Sequence, residues 1–311
     1  MNYNLVNFCE IDKYASKSYC AIHNVNADKN LGDITKVDIE SLPVNIDLIT
    51  HGSPCVSFSK AGLMLGGDRG SGTPSSLMWN SVEIIKHCRP KFIIWENVSS
   101  VLYKKHIHNF NEYISVLEDN GYFSYYQVMN ALNYGWPQYR DRIIVVSIRD
   151  DIDNGFLFPH EKGLEKKLCD LLEDTVSDDF YLTKEQLFRM QNCNYRLNRE
   201  RIQKLDFCYA LCARDFKDPK CVEDSKGIRK LTPKEYWRIM GFSDDDFEKA
   251  KSMGISKSQL YKQAGNSIVL PVILSVVENL KEYYPNYFNE GLEYLSLFSG
   301  VGAFEMALKK C

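Results

Sequence analysis

The stretch Ile46-Asp47-Leu48-Ile49-Thr50-His51-Gly52-Ser53-Pro54-Cys55-Val56-Ser57-Phe58-Ser59 decides the fold. Residues 46–50 are apolar and β-branched, and Gly and Pro follow at once, so they read as a buried strand ending in a loop. In an open α/β sheet, ligands bind in the crevice beyond the carboxyl ends of the strands. Cys55 therefore stands where such folds do chemistry. Pro54 fixes one backbone angle and removes one donor, which stiffens the approach to the thiol. Gly52 permits a tight turn, and Ser57 and Ser59 bring hydroxyls nearby. Taken alone, the segment fits a nucleophile and a buried cysteine packed as a small hydrophobe equally well.

A second run, Lys91-Phe92-Ile93-Ile94-Trp95, is also strand-like and leads into Glu96-Asn97-Val98. A carboxylate at a strand's end, beside apolar residues, is partly desolvated. Desolvation raises a carboxyl pKa and lets the group donate a proton near neutrality. A thiol at one strand end and an acid at the next suit nucleophilic attack on an electron-poor ring. A surface acid capping the next helix is the alternative for Glu96, and it fits less well beside Pro54-Cys55.

The chain has 311 residues, 44% of them hydrophobic, which allows one sizeable α/β domain and a smaller one. Its ten cysteines are scattered without Cys-x-x-Cys spacing. Cys208-x-x-x-Cys212 has no second pair to complete a zinc site, so no metal is expected. Scattered thiols fit a reduced, cytoplasmic setting. No run reads as long enough to span a membrane, and Met1-Asn2-Tyr3-Asn4 lacks the regions of a signal peptide, so no membrane partner is expected. A net charge of −3 gives no whole-chain attraction to nucleic acid, so any such contact must come from a local basic face.

The Pro-Cys and Glu-Asn-Val pieces resemble the signature loops of the cytosine-5 DNA methyltransferase family. Gln138-Tyr139-Arg140-Asp141-Arg142 is similar to its Gln-x-Arg-x-Arg segment. Arg229-Lys230-Leu231-Thr232-Pro233-Lys234-Glu235 is similar to its Arg-x-Leu-Thr-Pro-x-Glu segment, and Gln263-Ala264-Gly265-Asn266-Ser267 to its Gly-Asn-Ser helix. The resemblance covers nearly the whole chain apart from residues 151–227. It implies a doubly wound α/β sheet of mixed direction, Rossmann-like, with a small target-recognition domain. The catalytic domain would comprise 1–150 and 262–311, and the recognition domain 151–261.

The same resemblance implies S-adenosyl-L-methionine as cofactor and duplex DNA as partner. Glu10 matches the acid that binds the cofactor's ribose, with Ile11 beside it. Read alone, Glu10 also fits a helix-start acid favoured by the macrodipole. Asp33 and Ile34 match residues facing the adenine, although Gly32-Asp33 by itself is just a turn. Pro54, Leu77, Asn266 and Ser267 match further cofactor-side positions, and Asn or Ser would also suit a helix cap. Arg140 would face the flipped nucleotide, and Arg142 would brace the site in a salt bridge. Cys55 and Glu96 would carry the chemistry. The family usually has Gln where Val56 stands, and an acid is common where Ser296 stands.

Strands are expected at 3–9, 122–129 and 142–148, and helices at 12–23, 76–88 and 107–119. The glycine-dense loop 60–73 reads as mobile, and in the family it closes over DNA. Thr232-Pro233-x-Glu235 starts a helix with a capping box, which needs no function. Gly265-Asn266-Ser267 is expected to open a helix running to about 282. Residues 151–227 are acidic in their first half, then basic with interleaved aromatics, a weak nucleic-acid signal.

Finally, Ser296-Leu297-Phe298-Ser299-Gly300-Val301-Gly302 looks like the family's Phe-x-Gly-x-Gly cofactor loop. That loop normally opens the chain, and here it lies near the end, so the sequence reads as a circular permutation. Phe298, Ser299, Gly300 and Gly302 are its cofactor-side residues. The implied activity is methylation of cytosine carbon 5 in a short duplex sequence, through a Cys55 adduct and base flipping. A monomer is expected, with a cognate restriction endonuclease as a candidate partner. The alternatives are methylation of RNA, a catalytically silent DNA-binding relative and a small-molecule methyltransferase.

Overall fold

The computed structural model describes residues 1–59, 64–192 and 201–311. Its strands are β1 (Tyr3–Cys9), β2 (Leu48–His51), β3 (Phe92–Val98), β4 (Tyr122–Asn130), β5 (Gln138–Tyr139), β6 (Asp141–Arg149), β7 (Cys208–Tyr209), β8 (Cys221–Asp224), β9 (Gly227–Lys230) and β10 (Leu292–Leu297). Its helices are α1 (Lys13–His23), α2 (Met78–Cys88), α3 (Ile107–Asp119), α4 (Lys184–Asn192), α5 (Pro233–Ile239), α6 (Asp244–Ser252), α7 (Lys257–Asn266), α8 (Leu270–Tyr283), α9 (Pro285–Phe288) and α10 (Ala303–Lys310).

The residues form two compact units. The first holds Met1–Met129, Asp141–His160 and Ile273–Cys311. Its sheet has six strands in the order β1-β10-β2-β3-β6-β4. β1, β10, β2 and β3 run parallel, and β6 is antiparallel to β3. The fold is thus α/β with a mixed central sheet. β2 is buried along its whole length and β3 along all but its last residue, as expected of parallel strands covered on both faces. Ile49, Ile93, Trp95, Ile143 and Val145 are fully buried in one core with Ile84 and Ile85 of α2 and Tyr113 of α3. β3 runs on through Glu96-Asn97-Val98, because Val98 still pairs with Arg142 of β6.

The second unit holds Asn130–Arg140 and Glu161–Val272. It contains the short parallel pair β5–β7 and the hairpin β8–β9. Thr232 caps α5: its hydroxyl accepts the Glu235 N–H at 3.1 Å, and Glu235 accepts the Thr232 N–H at 2.7 Å. Arg229, buried, donates to both oxygens of Glu235 at 2.9 and 2.8 Å. The sequence signal Arg-x-Leu-Thr-Pro-x-Glu is thus a scaffold made of one helix cap and one ion pair.

Two expectations are corrected. Gly265-Asn266-Ser267 does not open a helix. Gly265 and Asn266 end α7, Ser267 takes an extended backbone, and its N–H still bonds back to Gln263 and Ala264 at 3.1 Å. The next helix starts only at Leu270, whose N–H is taken by the Met240 carbonyl at 2.9 Å. Second, one stretch, Lys257–Tyr283, does reach the length and hydropathy of a membrane span. However, 78% of its most apolar window is buried, and the turn after Asn266 interrupts it. Its apolar residues serve a protein core.

Candidate active site

Cys55 lies four residues beyond the end of β2. Two residues earlier, buried Ser53 is held by β3. Its hydroxyl accepts the Trp95 indole N–H at 3.1 Å and an Asn97 amide N–H at 3.3 Å. Its carbonyl accepts the Asn97 amide at 3.0 Å. Ser75, also buried, bonds the backbone before and after Cys55. Its hydroxyl donates to the Pro54 carbonyl at 2.7 Å and accepts the Ser57 N–H at 3.1 Å. The Cys55 carbonyl then accepts the N–H groups of Phe58 and Ser59 at 3.0 and 2.9 Å, closing a helical turn. The thiol is half-buried and in no disulfide. Val56, next to it, is 58% exposed.

The described part of the loop after Cys55 is better anchored than its glycines suggest. Trp79 donates to the Gly67 carbonyl at 2.8 Å, and Gly67 donates to Asn109 at 3.2 Å. A Cβ on Gly67 would stand 2.5 Å from the Phe58 ring, so glycine is needed there for close packing. The expectation of mobility for residues 60–63 lies outside the described residues.

Glu96 sits between Trp95 and Asn97 on β3, with its side chain on the opposite face. Its carboxylate accepts Arg142 Nε at 2.8 Å, with the two side chains 11% and 18% exposed. The register explains the pair. Glu96 lies opposite Ile144, so Arg142 is its diagonal neighbour on the same face of the antiparallel ladder. His51, one residue before Gly52, is fully buried, donates to or accepts from the Tyr113 hydroxyl at 2.9 Å and stacks on Trp95. Burial pushes its pKa down to about 3, so the ring is neutral.

The Gly-x-Gly loop follows β10. β10 lies between β1 and β2, which brings the loop to the end of β1. The Ser299 N–H donates to the Cys9 carbonyl at 3.1 Å, and the Gly300 N–H to the Glu10 carboxylate at 2.8 Å. The other Glu10 oxygen accepts the Asp12 N–H at 2.7 Å. Phe298 and Gly300 both take positive φ, and the space where a Gly300 Cβ would project is open. Asp33 caps the turn at Ile34, and the Thr35 hydroxyl holds its carboxyl below the usual value. Ile34 is buried in the core, whereas Ile11 is 73% exposed. Leu77 and Phe298 pack against the same core.

Arg140, Asn266 and Ser267 lie in the second unit. Arg140 is buried, and its guanidinium donates to the carbonyls of Leu211, Gly265 and Ser267. The two arginines of Gln-x-Arg-x-Arg are thereby divided: Arg142 meets Glu96, and Arg140 ties the end of α7 to Leu211. The roles of Ser53 and Ser75 were not legible in the sequence. Buried serines carry no periodic signal, and only their partners in space reveal them.

Residues 1–282 match the family described as C-5 cytosine-specific DNA methylase. The type II methyltransferase M2.ScrFI of Lactococcus lactis subsp. cremoris is 38% identical over 264 residues, covering 81% of this chain and 71% of that protein. The type II methyltransferase M.SsoII of Shigella sonnei is 32% identical over 294 residues, covering 89% of this chain and 74% of its own length. Among solved structures, the S. pombe Dnmt2 methyltransferase superposes with a TM-score of 0.68 at 18% identity, covering 91% of this chain and 92% of its own. The Entamoeba histolytica methyltransferase EhMeth gives 0.69 at 16% identity, with 91% of each chain covered. At those identities the structural likeness speaks for the fold alone, and the sequence matches carry the assignment: this chain belongs to the C-5 cytosine-specific DNA methylase family.

Proposed function

We propose that the protein methylates carbon 5 of cytosine in a short specific sequence of duplex DNA, with Cys55 as nucleophile and Glu96 as the acid that grips the base. One observation carries this reading: β3 fastens the Pro54-Cys55 loop through Ser53 with Trp95 and Asn97, and Glu96 stands between those two residues.

Carbon 5 of an aromatic pyrimidine is a poor nucleophile. Cys55, as thiolate, adds to carbon 6 and gives its electron pair to the new carbon–sulfur bond. Glu96, in its protonated form, donates its proton to N3, which offsets the charge that addition creates. Carbon 5 then has enamine character and can attack an electrophile. Arg142 fixes the Glu96 carboxylate so that this contact needs no reorganisation. Once carbon 5 carries its methyl group, its proton passes to solvent, the Cys55 sulfur departs with the carbon–sulfur electron pair as thiolate, and N3 returns its proton to Glu96, which restores the ring. The base is stacked inside a duplex, so it must first be flipped out, at a cost of a few kcal/mol. A free thiol has a pKa of about 8.5, so the flipped-base complex must favour the thiolate.

The methyl group comes from S-adenosyl-L-methionine, whose sulfonium makes it electrophilic. The first unit offers a donor set that fits this molecule. Gly300 leaves open space above a backbone of positive φ. The Glu10 carboxylate, held by two backbone N–H groups, suits ribose hydroxyls, since each carboxylate oxygen accepts more than one bond. Ionised Asp33 suits an exocyclic amine, and exposed Ile11 an adenine face. Phe298, Ser299, Gly302, Pro54 and Leu77 would complete the set.

We also propose that the chain is circularly permuted relative to its family. Three observations support this. The family match ends at residue 282, before the Gly-x-Gly loop. β10 pairs in parallel with β1 and β2 although it is the last strand. The helix after the loop returns to the first helix of the chain, with Lys309 Nζ 3.2 Å from His23 Nδ1. We assign target recognition to the second unit.

The test is incubation with S-adenosyl-L-methionine and a panel of duplexes in which cytosines are replaced by 5-fluorocytosine. Fluorine at carbon 5 cannot leave as a proton does, so a denaturant-resistant adduct is expected with one sequence context. Cys55→Ala should form none. A wild-type adduct that persists in Cys55→Ala would sink the assignment of the nucleophile.

A further inference from the structure

Helices α1 and α10 face each other through two polar rungs that the proposed mechanism leaves unused. Tyr19 and Glu305 form one: the Tyr19 hydroxyl donates to Glu305 Oε1 at 2.9 Å, with both residues fully buried. His23 and Lys309, each four residues further along its helix, form the other, with Lys309 Nζ 3.2 Å from His23 Nδ1. An ammonium donates and cannot accept, so Nδ1 must carry the lone pair. The proton then sits on Nε2. That nitrogen lies 3.0 Å from the Val301 carbonyl and donates to it. Val301 is the middle residue of Gly300-Val301-Gly302. The Tyr19 ring holds the imidazole from the side, 4.6 Å away between centroids.

The same imidazole explains Gly302. A Cβ built there would stand 2.0 Å from His23 Nε2, which no side chain could tolerate. The ring therefore both bonds the loop and sets how close its backbone comes. Glu10 holds the loop from the opposite end through Gly300.

We infer that His23 is a positioning residue for S-adenosyl-L-methionine binding: Lys309 fixes its tautomer, and its Nε2–H fixes the Gly300–Gly302 backbone in the form that receives the cofactor. This inference rests on the reading of that loop as the cofactor loop. His23 itself touches no reacting atom, and its effect is on cofactor affinity rather than on the thiol addition.

The experiment measures S-adenosyl-L-methionine binding to the full chain by calorimetry, beside steady-state methylation of duplex DNA. Glu10→Ala and Gly302→Ala serve as reporters of the loop. His23→Phe keeps a ring but loses the bond, and His23→Gln keeps an N–H donor. His23→Phe is expected to weaken cofactor binding about tenfold, with KM for the cofactor rising in step and kcat at saturation changing less than twofold. His23→Gln should recover part of the affinity. Gly302→Ala should weaken binding more severely, and adding His23→Ala should restore some of that loss, because the clash is gone and only the positive-φ strain remains. If His23→Phe folds and binds like the wild type while Glu10→Ala and Gly302→Ala weaken binding, the role of His23 is overturned and the cofactor loop stands. If neither reporter variant weakens binding, the cofactor loop reading falls, and this inference with it. A drop in kcat with unchanged cofactor affinity would also overturn it.

Discussion

Arg142 turns Glu96 from a generic strand-end acid into a fixed group. The pair is largely buried, so removing the guanidinium would leave a carboxylate poorly solvated and poorly aimed. Arg142→Ala is expected to cost about 3 kcal/mol of stability and about 10²-fold in the single-turnover methylation rate. Arg142→Lys should fall between, because an ammonium lacks the planar fork. Equal single-turnover rates for Arg142→Ala and wild type would show that the pair is only structural. His51 makes a separate prediction about pH. Its folded pKa, about 3, lies below the ordinary value of about 6.5, so the unfolded chain binds the proton better. The stability this neutral ring contributes is complete above pH 6.5 and is lost as pH falls toward 3. The loss is about 1.4 kcal/mol per pH unit. Urea midpoints at pH 7 and pH 5 should therefore converge in His51→Gln relative to the wild type, even though that variant is less stable at pH 7.

At the scale of elements, the loop after Cys55 is held by packing as much as by hydrogen bonds. Phe58 is fully buried under Gly67, and Ser100 donates to the Phe58 carbonyl at 2.8 Å. Gly67→Ala must push the Phe58 ring and the turn that begins at Cys55. Overpacking of this kind costs about 1–3 kcal/mol. The expected outcome is a lower melting temperature together with slower adduct formation on 5-fluorocytosine DNA. Phe58→Leu in the same chain should relieve both, and failure to relieve either would mean that the ring is not the obstacle. In the second unit, α5 depends on its cap. Thr232→Ala should cost about 1 kcal/mol by denaturant unfolding, and less than twofold in methylation rate.

At the scale of the molecule, chain order and sheet order disagree, and the sheet does not register the difference. β10 completes a parallel array whose other members come from the first third of the chain. Sheets are held by lateral bonds, so the position of the connecting loop is free as long as the ends it joins are close. A chain rearranged so that residues 285–311 precede Met1 is therefore expected to fold with a similar melting temperature and to methylate the same sequence. A rearranged chain that aggregates, or that folds but no longer binds cofactor, would contradict the permuted reading. The sequence by itself placed strands at 3–9, 46–50 and 91–95, helices at 12–23, 76–88 and 107–119 and the cap at Thr232, each within three residues of the observed bounds. Each rests on local periodicity, a turn residue or a contact three residues away, all of which a linear pattern carries. It also carried the motifs that mark Cys55 and Glu96. Only the tertiary structure decided that the partner of Arg142 is Glu96, that Gly-Asn-Ser closes a helix, and that Ser53 and Ser75 hold the backbone of the loop that carries Cys55. It alone brought Val301 to His23 and Gly300 to Glu10, 278 and 290 residues apart. Those contacts have no period in the sequence, because they exist only once the sheet has set which strand ends lie side by side.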